Sequence, residues 1–493
     1  MPHILIDHLR EITYKIISLL KKHGFFKNLG FDSGEHSQIL NKLPEGIPEK
    51  VIIDGIIIDL RMIVALADFP YPYSVFRVLT NEEIITIVNP GKTRTPEGVF
   101  EDYFIKLFKH PKTLKKILSI IEEEEKGIAE YKKKGLPPNQ YYDKNGGKLN
   151  REYTFADPDY IPAAFAAFDH FWPDALQAYQ VGRNMAYKLA QQAFSESDQT
   201  KKKELFDKAC AYQAFALHYF SDIFAGGHRI TLHHELVDQC GLILGSFLTK
   251  AQHDETNWFG PICTNKKGGE MQFQAYGDGH YFNKENAENR KMLEEAALTT
   301  MNVLVDIYKT GKIPDKHKEE DYVLYPLPDT EQPNQPLFKL KENSKVILRR
   351  KIINDPACKE YTEDWHVIPT LVECWLAERK WAYKKAYDTM PKPNFFASCF
   401  FPTHKYSEID NKLIEKVKDL NKLLQLDIQL LQTEVQNNNA YKFPQDCKTQ
   451  LTSLIDKLPK NSELKKELKC LFKQSFVIST AEESSPNHKP SMQ

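Results

Sequence analysis

The chain has 493 residues, 41% of them apolar and 27% charged, enough for about three domains' worth of folded chain and unlike a disordered polymer. Lys and Arg number 66 against 67 Asp and Glu, a formal net charge of -1, which argues against a general nucleic-acid coat or a membrane-steered basic surface. The greasiest run, 51–58, is cut by Asp54 and followed by Asp59, so no transmembrane segment is expected.

In chain order, Ile4-Leu5-Ile6 is interrupted by Asp7, His8, Arg10 and Glu11, and no signal peptide is expected. Ile4, Leu9, Ile12, Ile16 and Leu20 recur near helical spacing up to Gly24. A second apolar segment, 51–69, is stopped by Pro70. Helical patterns are predicted at about 80–88 and 100–133, and a loop over 135–147, which opens Gly135-Leu136-Pro137-Pro138. Helical signal then covers about 160–195, 200–226, 231–253 and 283–310. Residues 1–310, with a core at 50–310, therefore form one mainly α unit. Pro314, Pro326, Pro328, Pro333 and Pro336 mark 311–364 as extended, where Val346-Ile347-Leu348 and Lys351-Ile352-Ile353 suggest short strands or extended linker. A helical C-terminal region, 365–478, follows. From Ser407 it carries the stripe Ile409, Leu413, Val417, Leu420, Leu424, Ile428, Leu431 and Val435, with a second helix near 445–474. The polar tail 479–493 is expected to be disordered. The fold class expected is mainly α.

Eight cysteines stand singly, with no CxxC pair. That usage suits a reducing compartment and not a disulfide frame or thiolate metal site, so metal chemistry must use His and carboxylates. One segment has the residues for it: Ala216-Leu217-His218-Tyr219-Phe220-Ser221-Asp222-Ile223-Phe224-Ala225-Gly226-Gly227-His228. Four residues apart on a helix, His218 and Asp222 share a face, the geometry with which an imidazole and a carboxylate grip one divalent cation. Gly226-Gly227 breaks the helix and lets the backbone return His228 to the same cleft. The bland reading of such a pair is a surface ion pair or a satisfied core histidine, and the Gly-Gly a plain helix end. The third donor at fixed distance weighs for the metal. Phe168-Asp169-His170-Phe171-Trp172-Pro173-Asp174 offers a further ligand with a flanking carboxylate, or else a helix start. In His253-Asp254-Glu255-Thr256-Asn257, His253 and Asn257 share an i, i+4 face.

These segments resemble the zinc-dependent bacterial phospholipase C family, which shares its helical fold with the P1-type nucleases. That family carries an HYFGD stretch with a second histidine six residues after the Asp. Here His218-Tyr219-Phe220-Ser221-Asp222 and then His228 keep the spacing, and His170-Phe171-Trp172-Pro173-Asp174 is similar to its HFWDPD-like run. A divergent branch with the order FDHF…GH…HDExN…AYGDG is more similar still. Its counterparts here are Phe168 to Phe171, Gly227-His228, His253 to Asn257, and Ala275-Tyr276-Gly277-Asp278-Gly279.

The resemblance, over roughly 50–310, implies a phospholipase C/P1 nuclease-like helical domain holding two or three Zn²⁺ ions. It implies His170, His218 and Asp222 on one zinc, and His228, His253 and Asn257 on a second, with Asp254 as the alternative to Asn257. The pair His234 and Asp238 is a further alternative. Asp68 is the implied general base, with Asp157 or Asp169 in reserve. The family's amino-terminal zinc ligand has no counterpart in Met1-Pro2-His3; Asp7 and His8 are the nearby donors. The activity implied is metal-assisted hydrolysis of a phospholipid, such as phosphatidylcholine, to diacylglycerol and a phosphorylated headgroup. Phe171, Trp172, Tyr219, Phe220, Phe224 and Trp258 are candidates to wall its apolar approach, though most such aromatics are core. The substrate partner is a membrane surface, and no nucleic acid is expected. The alternatives are a P1-like nuclease and a non-enzymatic helical interaction protein. An enzyme of this kind would threaten its own membrane. The expectation is therefore either a cytoplasmic protein or a virulence effector exported without a signal peptide into a host.

Overall fold

A computed structural model describes residues 33–69 and 95–388, apart from 137, 158–159, 161–163, 165–166, 241 and 270, together with 452–458, 465–466 and 468–470. These residues are mainly α-helical. The chain divides into two compact units; the larger comprises Phe26–Arg350 with Pro356–Tyr361. All candidate site residues described below belong to it.

The described residues of the larger unit begin with the single turn α1 (Ser33–Ser37) and a hairpin of β1 (Lys50–Ile53) and β2 (Ile56–Asp59). Lys50 faces Asp59 and Ile53 faces Ile56. Asp54 and Gly55 between them have φ of 49° and 77°, the left-handed pair that a two-residue hairpin turn requires. Val51, Ile53 and Ile58 point inward while Ile52 and Ile57 are exposed, as strand alternation demands. Asp59 then accepts the Arg61 N–H at 3.0 Å and caps α2 (Leu60–Ala65). A further 3-10 turn, Leu66–Asp68, delivers Asp68 to the interior.

Next come α3 (Pro96–Lys109), α4 (Pro111–Lys133) and α5 (Asn139–Ala156). Pro111 divides the first two, where one helical stretch was expected, because a proline fits at a helix start and not in its interior. The loop expected over 135–147 is shorter, since α5 begins at Asn139. Burial of Leu149 and Tyr153, with the Tyr153 hydroxyl donating to Glu124, outweighs the poor helix propensity of Gly146-Gly147. Within the stretch predicted as helix over about 160–195, Tyr160 and Ala164 are helical, Phe168–His170 forms a 3-10 turn, and the long helix begins at Asp174.

At the centre α6 (Asp174–Ser195) packs extensively along α7 (Gln199–Asp222). Ala178, Ala186 and Ala190 of α6, and Ala209, Ala211, Ala214 and Ala216 of α7, are fully buried, and small side chains let the helix axes approach. Gly182 is the tightest point: a Cβ there would lie 2.4 Å from the Phe100 ring and 2.7 Å from Ala216 Cβ. From Phe206 onward α7 is buried on nearly every side, as a core helix is. Its last turns nonetheless carry His218, Ser221 and Asp222. The chain turns through α8 (Gly226–Ile230). The helix predicted over 231–253 is two, α9 (His233–Cys240) and α10 (Leu242–Phe259). Helix α11 (Ala287–Thr310) ends at Gly311, whose φ of 70° makes the left-handed cap.

Short antiparallel strands complete the unit. Strand β3 (Ile262–Thr264) lies between β4 (Phe273–Gln274) and β5 (Tyr325–Pro326), and β6 (Phe338–Leu340) pairs with β7 (Ile347–Arg350). The strand expected at 346–348 is thus present, whereas 351–353 is not strand. In the smaller unit α12 (Val367–Asp388) buries Leu371, Val372 and Ala377. The described cysteines are free thiols. No helix of the described residues is long and apolar enough to cross a membrane. The elements expected at 3–25, 80–88 and 407–435, and the tail 479–493, lie outside the described residues.

Candidate metal centre

Two clusters of imidazoles and carboxylates stand at the buried end of α7. In the first, His218 Nε2 lies 3.0 Å from His170 Nδ1. Asp222 Oδ2 is 3.0 Å from that His170 nitrogen and 3.5 Å from the His218 nitrogen. Asp68 Oδ1 is 3.4 Å from His218 Nε2, and His36 Nε2 is 3.7 Å from Asp222 Oδ1. In the second, Asp278 Oδ2 lies 3.0 Å from His253 Nε2 and 3.4 Å from His228 Nε2. The atom sets His36/His218/Asp222, Asp68/His170/His218 and His228/His253/Asp278 are each compact enough to hold a metal ion.

The orientation of each ring is set from behind. His218 Nδ1 donates to the Val64 carbonyl at 3.0 Å and His228 Nδ1 to the His170 carbonyl at 2.8 Å. His253 Nδ1 faces Asp254 Oδ1 at 3.0 Å. His36 Nδ1 contacts Ser221 Oγ at 2.7 Å, and that hydroxyl is itself donated to the His218 carbonyl at 2.6 Å. Carbonyls and carboxylates only accept, and the Ser221 proton is already committed. Each of these four rings therefore carries its hydrogen on Nδ1, and in the neutral form turns a lone pair on Nε2 inward. Back-anchored imidazoles of this kind are the usual support of metal ligands. His170 is the reverse: Nδ1 faces inward and Nε2 lies 3.8 Å from the buried Asp169.

The cluster tests well for a cation. Asp222 is 1% exposed, and among the described residues the groups facing its oxygens are the His170, His218 and His36 rings. A carboxylate in that state costs several kcal/mol unless positive charge faces it. Protons partly fill that role. Burial works against charging His170, yet Asp222, with Asp169 and Asp68, pushes it up to about 9. Burial likewise opposes His253, and its bonds to Asp254 and Asp278 raise it to about 9. Burial would push Asp222 and Asp278 up, but the surrounding imidazoles hold both well below the usual carboxylate range. Burial and the neighbouring His36 drive His218 far down, so it stays neutral, as a ligand must.

The residues singled out in the sequence divide accordingly. Asp68, His170, His218 and Asp222 come together, and so do His228 and His253. Asn257 does not present its oxygen to the cluster: Oδ1 accepts the Gly227 N–H at 2.6 Å. Asp278, which lies in the Ala275 to Gly279 segment, stands there in its place. Asp254 is behind His253, held by Lys250 at 2.7 Å. Asp169 is behind His170, where burial raises it to about 6. His234 pairs with Asp174 at 2.6 Å and Asp157 follows α5, and neither belongs to the compact donor sets. Asp7 and His8 lie outside the described residues. His36 has no local signature, whereas Asp278 sits in a glycine-flanked motif that could have flagged it.

Among the aromatics, Tyr219, Phe220 and Phe224 are core. Phe171 stacks on the His228 ring at 4.9 Å and Tyr219 stands 5.3 Å from His170, so both seal the centre. Trp172 is half-buried under the Arg229 guanidinium, 3.6 Å away. Trp258 and Tyr276, both half-buried, flank His280 at 5.6 and 5.7 Å near Asp278. A cavity of about 40 Å³, with His36, Ser221, Phe224, Tyr276 and Asp278 in its walls, borders both clusters. No protein-family model, curated protein or solved structure is detectably similar to the chain.

Proposed function

We propose that this chain is a zinc-dependent phospholipase C, hydrolysing glycerophospholipids such as phosphatidylcholine to diacylglycerol and a phosphorylated headgroup. The observation that carries the reading is the paired donor set, with anchored rings turned inward on the buried Asp222 in one cluster and on Asp278 in the other. Tetrahedral zinc with N and O ligands at 2.0–2.1 Å puts ligand atoms roughly 3.3 Å apart; the contacts His170–His218, His170–Asp222, His218–Asp222 and His218–Asp68 run from 3.0 to 3.5 Å. His170, His218, Asp222 and Asp68 would hold one ion, His228, His253 and Asp278 a second, and His36 with Asp222 offers donors for a third.

Zinc so held supplies Lewis acidity toward phosphoryl oxygens, an acidified water and charge for the leaving alkoxide. The chain's own residues do the rest. The three carboxylates that face the ions, Asp68, Asp222 and Asp278, would not by themselves neutralise two or three divalent cations, which leaves positive charge for an anionic phosphodiester. Asp68, at 15% side-chain exposure the most open carboxylate of the first cluster, is placed to orient a water and take its proton. Phe171 and Tyr219 exclude bulk water from the rear, which strengthens every charge interaction within. The half-buried Trp258 and Tyr276 near Asp278, with the balanced overall charge, favour a lipid over a polyanionic nucleic acid.

Zinc-loaded protein is expected to release phosphocholine from phosphatidylcholine vesicles and to leave single-stranded DNA intact. Cleavage of DNA alone would assign a nuclease instead, and cleavage of neither refutes a phosphodiesterase. His218→Ala should lose a bound zinc and the activity while its helical circular dichroism persists. Retention of full zinc by that variant would show the ligand assignment to be wrong.

A further inference from the structure

The second cluster is assembled from stretches of chain far apart in sequence. Helix α8 brings His228, α10 brings His253, and the loop 275–279 brings Asp278. One residue touches all three. Asn257 Oδ1 accepts the Gly227 backbone N–H at 2.6 Å, and its Nδ2 stands 3.1 Å from His253 Nε2. Its backbone carbonyl accepts the Gly277 N–H at 3.4 Å. The residue is 3% exposed.

The glycines around it have the same origin. A Cβ on Gly277 would fall 1.6 Å from Asn257 Oδ1, and one on Gly227 would fall 2.5 Å from that atom and 2.6 Å from His253 Cδ2. Neither glycine has positive φ, so backbone freedom does not require them. The space taken by the Asn257 amide does. An amide oxygen bonded to a backbone N–H is poorly placed to serve a cation, and the NH₂ group can only donate.

We propose that Asn257 is the positioning residue of the second cation site: it sets the register of His228, His253 and Asp278 and is not itself a ligand. The proposal rests on the metal reading above. By holding Gly227 it fixes the entry of α8, and so the direction of His228. Against Gly277 it fixes the loop that presents Asp278 one residue later. Loss of such an outer partner costs about 10–100-fold in metal affinity.

The test is a cobalt(II) titration of the full chain followed by visible absorption, with His228→Ala marking the second site. Wild type should fill in two phases. Asn257→Ala should weaken only the second phase, by about 10–100-fold, and leave the first within about twofold. Gly277→Ala, whose methyl meets the Asn257 amide and not a ligand side chain, should weaken the same phase because that methyl displaces the amide. The double variant should bind no worse than Asn257→Ala, since removing the amide vacates the space that the methyl needs. Amide exchange without metal gives an independent readout: Gly227 should lose protection in Asn257→Ala and regain it in Asn257→Asp, which keeps an acceptor oxygen. Wild-type second-phase affinity in Asn257→Ala would overturn the proposal, as would losses that simply add in the double variant or an unchanged Gly227 amide. A wild-type chain that takes up no cation would instead overturn the metal reading itself.

Discussion

Metal loading should expel protons in a number that the structure sets. Each cluster contains one imidazole pushed up to about 9: His170 in the first and His253 in the second. At pH 7.5 both rings are therefore almost fully protonated in the metal-free protein. A ligand imidazole must be neutral, so each cation displaces about one proton from these rings. Holding those protons 1.5 pH units below their pKa costs each cation about 2 kcal/mol of apparent affinity. Affinity should accordingly rise about tenfold per pH unit for each cation between about pH 7 and 9, then flatten. Isothermal titration with zinc, in buffers of contrasting protonation enthalpy at one pH, counts the released protons directly. Asp222→Asn should lower the count by about one, because the Asp222 carboxylate is the main group raising His170. A total below about one proton per chain, or an affinity flat from pH 7 to 9, would refute the assignment of these rings as ligands.

Two further outcomes follow from the same geometry and packing. In chelator-treated protein, His170 and His253 have folded-state pKa values raised from 6.5 to about 9. Their stabilisation is complete below pH 6.5 and lost as pH rises through 9, at most about 3 kcal/mol for each ring. Urea midpoints of the metal-free protein at pH 6.5 and 9 should show this fall, and a midpoint that rises over the interval contradicts it. Gly182→Ala should destabilise by about 1–2 kcal/mol, because overpacking against the buried Phe100 and Ala216 outweighs the helix propensity gained. An unchanged or raised urea midpoint would show that α3 and α7 yield at that contact.

The local part of this centre was legible in the chain. His218 and Asp222 share a face because helical periodicity puts them there, and Gly226-Gly227 announces the break before His228. The same reasoning placed Asn257 on the face of His253, which is correct as geometry. Its role could not be read that way, because its oxygen is used by the Gly227 N–H, a partner 30 residues away. Helix α5 is not legible in the sequence for a related reason. Its poor propensity is local, whereas the burial of Leu149 and Tyr153 that overrides it comes from other segments.

Composition and periodicity thus determined a mainly α protein and the short-range pairs of donors, since both depend only on residues within a turn or two of one another. The tertiary structure alone decided that His36 reaches Asp222 from the beginning of the described chain, and that Asp278 completes the second cluster. Neither position has a periodic neighbour to betray it. A binding centre is a meeting of side chains from distant segments, and only packing determines which of them meet.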